Sequence, residues 1–321
     1  MIDFLSAEVP RIDAVLRQEL EALPALLRPV AMHIAALPGK RLRPLICLAT
    51  ARCLGETGQA IYPLATALEI MHCACLLHDD ILDDASTRRG EISAHLKYGA
   101  KLALLAGDAM FALAGDMVAR SQNPRLTAIF STAIGRAVAG QALEASRLFC
   151  PDFDQDHYTN VIAGKTAALF EAAALIGAKA AAAPKEQCDA AAGFGFNFGM
   201  AFQLMDDIMD FQPTAETGKP CGGDLLQGKL TPPALLWLES LPLTERQFFL
   251  NKFSQKLLAS ADISACCEQI QRHTLGKETA SQAKMYVYQG DFYLNLLPSN
   301  QFRDILQKSI HALTKIGVVK S

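Results

Sequence analysis

Several things are missing from this 321-residue sequence, and each absence closes off a class of protein. No CxxC pair occurs, and Cys73 with Cys75 or Cys266 with Cys267 stand too close for a zinc pattern and have no second half. Nine cysteines are an odd number, so they read as reduced core thiols of a cytoplasmic protein. Charge of one sign is also lacking: the net charge of −3 gives no reason to expect nucleic acid or an anionic membrane as partner. The opening MIDFLSAEVPRID lacks the basic-then-apolar order of a signal peptide. The most apolar long window, Ala167 to Ala183, is interrupted by Glu171 and Lys179, and is expected to be a buried helix with no membrane span. No linker is rich in Gly, Ser or Pro, no tract is of low complexity and no short repeat recurs, so residues 1–321 are expected to form one domain.

An alternating strand pattern never lasts more than a few residues. What is abundant is alanine and leucine, in an otherwise ordinary composition of 51% apolar and 20% charged residues. Turn signals at Pro38-Gly39, Gly55 to Pro63, Arg89-Gly90, Gly99, Gln122 to Pro124, Cys150 to Asp156, Ala183-Pro184, Pro213 to Gly228, Pro242 and Pro298 leave helices of ordinary to long length. The expectation is an all-α, single large helical-bundle domain with long helices around a central cavity.

The most informative stretch is Leu76 to Gly90, LLHDDILDDASTRRG. The apolar run Ile61 to Leu77 makes its aspartates the last turns of a helix. Residues four apart lie one above the other, so Asp79 and Asp83 share a face, and Asp80 and Asp84 the next one. Like charges at that spacing repel unless they are solvated or meet cations. Carboxylates with room for water suit Mg²⁺, and Arg88 and Arg89 beyond them suit phosphate. A solvated acidic helix end would explain four aspartates alone, but not the second copy in Phe202 to Phe211, FQLMDDIMDF. There Asp206, Asp207 and Asp210 repeat the DDxxD spacing. Two such ends suggest carboxylates on opposite walls of a cavity, holding several Mg²⁺ ions around one diphosphate.

Other segments fit that picture. In PGKRLRP, Lys40, Arg41 and Arg43 open a helix at the end that already favours anions. Lys40 and Arg43, three apart on one face, read as a phosphate grip, against the plain alternative of a solvated basic cap. His72, two turns before Asp79, could donate to a diphosphate, although a lone helical histidine is more often core or surface. His78 is either support for the aspartates or packing, and Asp108 has no derivable role. Gln141 and Glu144 form a polar pair inside an apolar helix, structural or facing bound water and metal. Lys165, beside Thr166 in Gly164-Lys165-Thr166, needs a partner if buried, and a phosphate would serve; snorkelling to solvent is the alternative. Gln203 shares the face of Asp206. The GKPCGGDLLQGKLTPP segment adds Lys219, Asp224 and Lys229. Tyr286, Tyr288, Phe292 and Tyr293 read as packing.

Together these motifs resemble the trans-isoprenyl diphosphate synthase (polyprenyl synthetase) family, and within it the octaprenyl diphosphate synthase-like long-chain members. GKRLRP, DDILDDASTRRG, GKT, FQLMDDIMDF and GKPCGGDL stand in the family's order and spacing from about Lys40 to Lys229. The resemblance implies an isoprenoid synthase type I fold, a homodimer and a Mg²⁺-dependent prenyltransferase with three ions per active site. Isopentenyl diphosphate would be held by Lys40, Arg43, His72 and Arg89. Asp79, Asp83 and Asp206 would hold the metal, and Arg88, Lys165, Thr166, Gln203 and Lys219 the allylic diphosphate. Ile92 stands where the family often has proline, and Ala100 where it often has asparagine; both lie off the ligands.

Product length follows from helix geometry. At about 1.5 Å per residue, Cys75, Ala74 and Met71 lie one and two turns deeper than Asp79. Cys75 and Ala74 are too small to stop a growing tail, so a product longer than C15 is expected, with C30 to C40 favoured and C20 the nearest competitor. Facing walls at Met110, Phe111 or Phe170 would set the stop. A class I terpene cyclase would need no second-substrate grip, and a non-catalytic subunit would have lost aspartates or cations that are all present.

Overall fold

The computed structural model describes residues 2–212, 221–272 and 276–316. In chain order the helices are α1 (Ile2–Leu20), α2 (Arg28–Ala36), α3 (Leu42–Cys53), α4 (Ile61–Leu82), α5 (Ala94–Tyr98), α6 (Ala100–Ala119), α7 (Pro124–Ala145) and α8 (Gln155–Ile162). After a π-helical turn over Ala163–Ala167 come α9 (Ala168–Ala180), α10 (Lys185–Met209), α11 (Gly223–Leu226) and α12 (Pro232–Ser240). The last are α13 (Leu243–Ser254), α14 (Ser260–Arg272), α15 (Gly276–Leu294) and α16 (Gln301–Ile316). The expected all-α class is what the chain adopts. Contacts group it into two compact units: Met1–Ile134 with Leu169–Gly195 and Tyr293–Gln307, and Gly135–Ala168 with Phe196–Phe292 and Lys308–Ser321.

The first unit is built on α4. Its only proline, Pro63, sits in the first turn, where no intrahelical N–H bond is lost. Buried residues run from Ile61 to Asp80 and circle the helix, the pattern of a core element rather than a surface one. Each fully buried large apolar side chain among them contributes about 1.5–3 kcal/mol. Helix α6 packs along α4, and Gly107 lets His78 nestle there: a Cβ at 107 would lie 2.3 Å from His78 Nε2. The same nitrogen is 3.1 Å from the Leu104 carbonyl and 3.6 Å from Asp108 Oδ1. His78 is therefore a pin between the two helices, and Asp108 finds its role beside it.

One strand pair escaped the sequence reading. Thr87–Arg88 (β1) and Glu91–Ile92 (β2) form an antiparallel hairpin, with Thr87 opposite Ile92 and Arg88 opposite Glu91. Its two turn residues, Arg89 at φ 52° and Gly90 at φ 85°, are both left-handed, as a two-residue hairpin requires.

In the second unit, α11 to α14 carry a separate core in which Trp237 meets Phe249 edge to face at 4.8 Å, with Phe253, Ile263 and Cys266 fully packed. Here the expectation of reduced thiols throughout is corrected: Cys221 and Cys267 are joined, with Cα atoms 6.5 Å apart. That separation is within bridging range. Cys267 stands beside Cys266 in sequence, and no local pattern pairs it with a residue 46 positions away. On the loop-closure model, Cys267→Ser should cost about 2–4 kcal/mol. Urea unfolding without reductant measures it, and dithiothreitol should bring the two proteins together.

Among the described residues, four helical segments are long and apolar enough to cross a membrane: Ile61–Leu82, Ala100–Ala119, Pro124–Ala145 and Gln155–Ala180. The best windows of the first and last are 72% buried within the protein, but those of Ala100–Ala119 and Pro124–Ala145 only 39% and 28%.

Candidate active site

In the first unit the expected helix register holds. Helix α4 ends at Leu82, Asp83 is its C-cap, and the Asp83 N–H donates to the Asp79 carbonyl at 2.8 Å. Asp79 and Asp83 are thus one turn apart, both half-buried. Asp80 faces inward and is 1% exposed. Arg88 binds its Oδ1 through Nε at 2.7 Å and also through Nη2. The guanidinium that the sequence aims at a diphosphate therefore first neutralises Asp80, which keeps a third carboxylate from raising the repulsion between Asp79 and Asp83. Asp84, at φ 46°, turns out to solvent 3.7 Å from His95 Nε2.

The PGKRLRP segment differs from expectation. Helix α3 begins at Leu42, and Arg41 is left-handed at φ 48°. Lys40 precedes the helix and is exposed, so it does not share a helical face with Arg43. Arg41 is the cause. Its buried guanidinium donates to Asp13 Oδ1 at 3.0 Å, Glu69 Oε1 at 2.9 Å and the Ala35 carbonyl at 2.7 Å. These bonds hold an otherwise strained backbone.

Arg43 is buried and stacks 4.5 Å from the Phe170 ring centroid. Its Nε is buried without a hydrogen-bond partner. Burial, then Arg89, lowers its pKa, and Glu69 is the carboxylate that opposes this. Arg89 lies against Gly39, where a Cβ would come 2.5 Å from its Nη1, and burial lowers its pKa as well. His72 completes the group. Burial, and after it the charges of Arg43, Arg89, Arg88 and Arg41, holds its pKa well below the usual value. Several cations thus surround one carboxylate, Glu69, which Arg41 already occupies. Glu69, a lone acid in an apolar run, gave no signal in the sequence.

The depressed His72 pKa has a direction. The unfolded chain takes up a proton at this histidine near pH 6.5 and the folded one does not, so acidification favours unfolding. His72→Gln should flatten the fall of melting temperature between about pH 6.5 and 5, which a series of thermal melts checks.

Of the expected length determinants, Met71 and Ala74 are fully buried and Cys75 half-buried. Met110 is buried as well, and the Phe111 ring lies 5.6 Å from that of His78. Phe170 is the residue under Arg43.

In the second unit the GKT segment is not plain α-helix. Ala163–Ala167 forms a π turn, a feature frequent at functional sites. Here the turn packs closely on α7 through a glycine pair: a Cβ at Gly140 would lie 2.4 Å from the Lys165 nitrogen, and one at Gly164 2.8 Å from the Arg136 carbonyl. Lys165 Nζ sits 2.6 Å from Glu144 Oε2, and Lys229 Nζ 3.5 Å from the same oxygen. The polar residue in α7 is therefore the counterion of two lysines. Thr166 Oγ1 donates to Gln203 Oε1 at 2.8 Å, and Gln203 Nε2 donates to Asp207 Oδ1 at 2.9 Å.

The three aspartates of FQLMDDIMDF separate by environment. Asp206 is exposed near the end of α10. Asp207 is buried, accepts from the Tyr158 hydroxyl, and is pushed up to about 7 by burial, against the Tyr158 and Gln203 hydrogen bonds. Asp210 accepts the Gly223 and Asp224 N–H groups, each at 3.1 Å, and so anchors the following loop. Lys219 lies outside the described residues.

The donor set suits a hard cation. Asp79 and Asp83 offer oxygens one turn apart with access to solvent, and Asp206 is open to solvent. No three His, Cys, Asp or Glu side chains among the described residues converge as a metal cage. Mg²⁺ bound by one or two carboxylates, with water and substrate oxygens completing its shell, fits such residues.

A predominantly helical chain with two aspartate-rich helix ends and arginines gathered around Glu69 has the layout of an enzyme that handles diphosphates. The polyprenyl synthetase family model matches residues 24–270. An all-trans-nonaprenyl-diphosphate synthase (geranyl-diphosphate specific) of Rhodobacter capsulatus is 31% identical over 92% of this chain and 90% of its own. The octaprenyl diphosphate synthase of Escherichia coli is 32% identical over 73% of this chain and 72% of its own. A polyprenyl synthase of Caulobacter crescentus, solved with calcium and isoprenyl diphosphate, superposes with a TM-score of 0.93 at 30% identity, covering 98% of this chain and 97% of that one. The chain belongs to the polyprenyl synthetase family and is a prenyltransferase of the trans-prenyl diphosphate synthase type.

Proposed function

We propose that this chain condenses isopentenyl diphosphate with an allylic diphosphate, farnesyl or geranylgeranyl, to give an all-trans polyprenyl diphosphate of C30 to C40. The observation that carries the reading is the excess of positive charge around Glu69. Arg43 is a buried cation with an unmet N–H, beside Arg89 and His72, and a diphosphate supplies the counter-charge and the acceptor that Arg43 lacks. Lys40, exposed at the rim, joins them. Mg²⁺, three ions per site, held by Asp79, Asp83 and Asp206, would supply Lewis acidity and charge neutralisation for the leaving diphosphate.

The chain's own residues do the rest. Lys165, Lys219 and Arg88 bind the departing oxygens and are worth most once water is excluded. Gln203 and Thr166 direct amide and hydroxyl dipoles toward the allylic carbon as it becomes cationic. Arg43, Arg89, Lys40 and His72 fix the second substrate so that its double bond attacks that carbon. The proton then lost goes to the departing diphosphate. Small side chains at Ala74 and Cys75 let the tail pass, which supports a product beyond C15.

The partner proposed is a second copy. Leu104 and Leu105 on α6 are 47% and 52% exposed, on a helix whose apolar window is mostly unburied. A homodimer covers such a face; a membrane would cover it too. Sedimentation without detergent separates them, a dimer supporting the first and a monomer that binds liposomes the second.

Chain-length analysis tests the main reading. Protein, Mg²⁺, labelled isopentenyl diphosphate and farnesyl diphosphate should give products ending at C30 to C40. A stop at C20 keeps the reaction and moves the floor up to Met71. Cyclic or hydrolysed hydrocarbon from the primer alone makes the chain a cyclase.

A further inference from the structure

The DDxxD spacing makes Asp207 look like a metal ligand, yet both its oxygens are committed elsewhere. Oδ2 accepts from the Tyr158 hydroxyl and Oδ1 from Gln203 Nε2. The carboxylate is 3% exposed and Tyr158 8% exposed. Tyr158 itself is fixed at the start of α8, where its N–H bonds to the carbonyl of the N-cap Asp154.

These contacts decide which way the Gln203 amide points. The Gln203 NH₂ faces Asp207 and donates to its Oδ1 at 2.9 Å. The amide oxygen then faces the Thr166 hydroxyl, which uses one of its two lone pairs. Turned over, the amide would set its oxygen against the Asp207 oxygen it now donates to, while the Thr166 hydroxyl, able to donate or accept, would serve either face. The orientation is therefore set at the Asp207 end, and Tyr158 holds that carboxyl through its other oxygen.

We propose that Tyr158 is a positioning residue, which acts through Asp207 to hold the Gln203 amide in the orientation that serves the allylic carbon. The inference rests on the proposed condensation and assigns Asp207 to structure rather than to metal. Tyr158 offered no motif to the sequence reading. Its pairing with Asp207 joins residues 49 positions apart and is visible only in the fold.

A double-mutant cycle separates this from simple packing. Tyr158→Phe keeps the ring and removes the hydroxyl; its kcat should fall about tenfold with KM for isopentenyl diphosphate unchanged. In a Gln203→Leu background the same change should leave kcat where Gln203→Leu put it. Asp207→Asn, whose amide can face Gln203 either way, should behave in the cycle like Tyr158→Phe. Melting temperatures of all variants show which are folded. Losses that multiply in the double variant, or a change confined to KM, would overturn the proposal. Absence of condensation by the parent enzyme would be a different failure, since it removes the proposed reaction and not only the role of Tyr158.

Discussion

Asp79→Ala is expected to lower kcat by about a thousandfold or more, with the fold intact. Asp79 lies in the last turn of α4, where its backbone carbonyl accepts from the Asp83 N–H, a bond that alanine keeps. The neighbouring Asp80 is already balanced by Arg88, so removing Asp79 lessens repulsion with Asp83 and does not strand a cation of that pair. The loss falls on metal binding. Turnover should recover only partly as Mg²⁺ is raised, and melting temperature should hold or rise. Asp84→Asn is the control: that residue faces solvent in a left-handed conformation that asparagine tolerates, and kcat should stay within about twofold. Steady-state rates against Mg²⁺ for the three proteins decide the matter.

Arg43→Met carries the second large effect, and activity and stability should move apart. Arg43 is a buried guanidinium over Phe170 with an unmatched N–H. Methionine keeps an apolar stem on the ring and removes a charge whose burial is costly. The free protein should therefore be as stable as before, or more so. KM for isopentenyl diphosphate should rise about 100-fold, the worth of strong charge-assisted bonds to phosphate. KM for the allylic primer should hardly change. An equal rise in both, or a collapse in stability, would mean that Arg43 is framework. The expected pattern is that of a site that stores unfavourable charge for its ligand.

Much of this was legible in the chain. Local spacing carried it: Asp79 and Asp83 fall one turn apart because α4 is regular there, and their last-turn place followed from the apolar run before them. Spacing failed where a distant partner overrides local preference. Arg41 is pulled left-handed by Asp13 and Glu69, which moved the start of α3 and took Lys40 off it. The π turn at Lys165 packs on α7 where Gly140 meets Gly164, a contact between two glycines that sequence spacing does not reveal. A hairpin of two residues per strand is too short to alternate. Cys221 with Cys267, and Tyr158 with Asp207, are pairings that no local pattern encodes.

The central claim is a condensation of two diphosphates, and release of inorganic diphosphate tests it most directly. Purified protein would be given Mg²⁺ with the allylic primer alone, with isopentenyl diphosphate alone, and with both. The account predicts release only with both, one diphosphate for each five-carbon unit incorporated, and none in EDTA. Release from the primer alone at a comparable rate, with no incorporation of isopentenyl label, would contradict it.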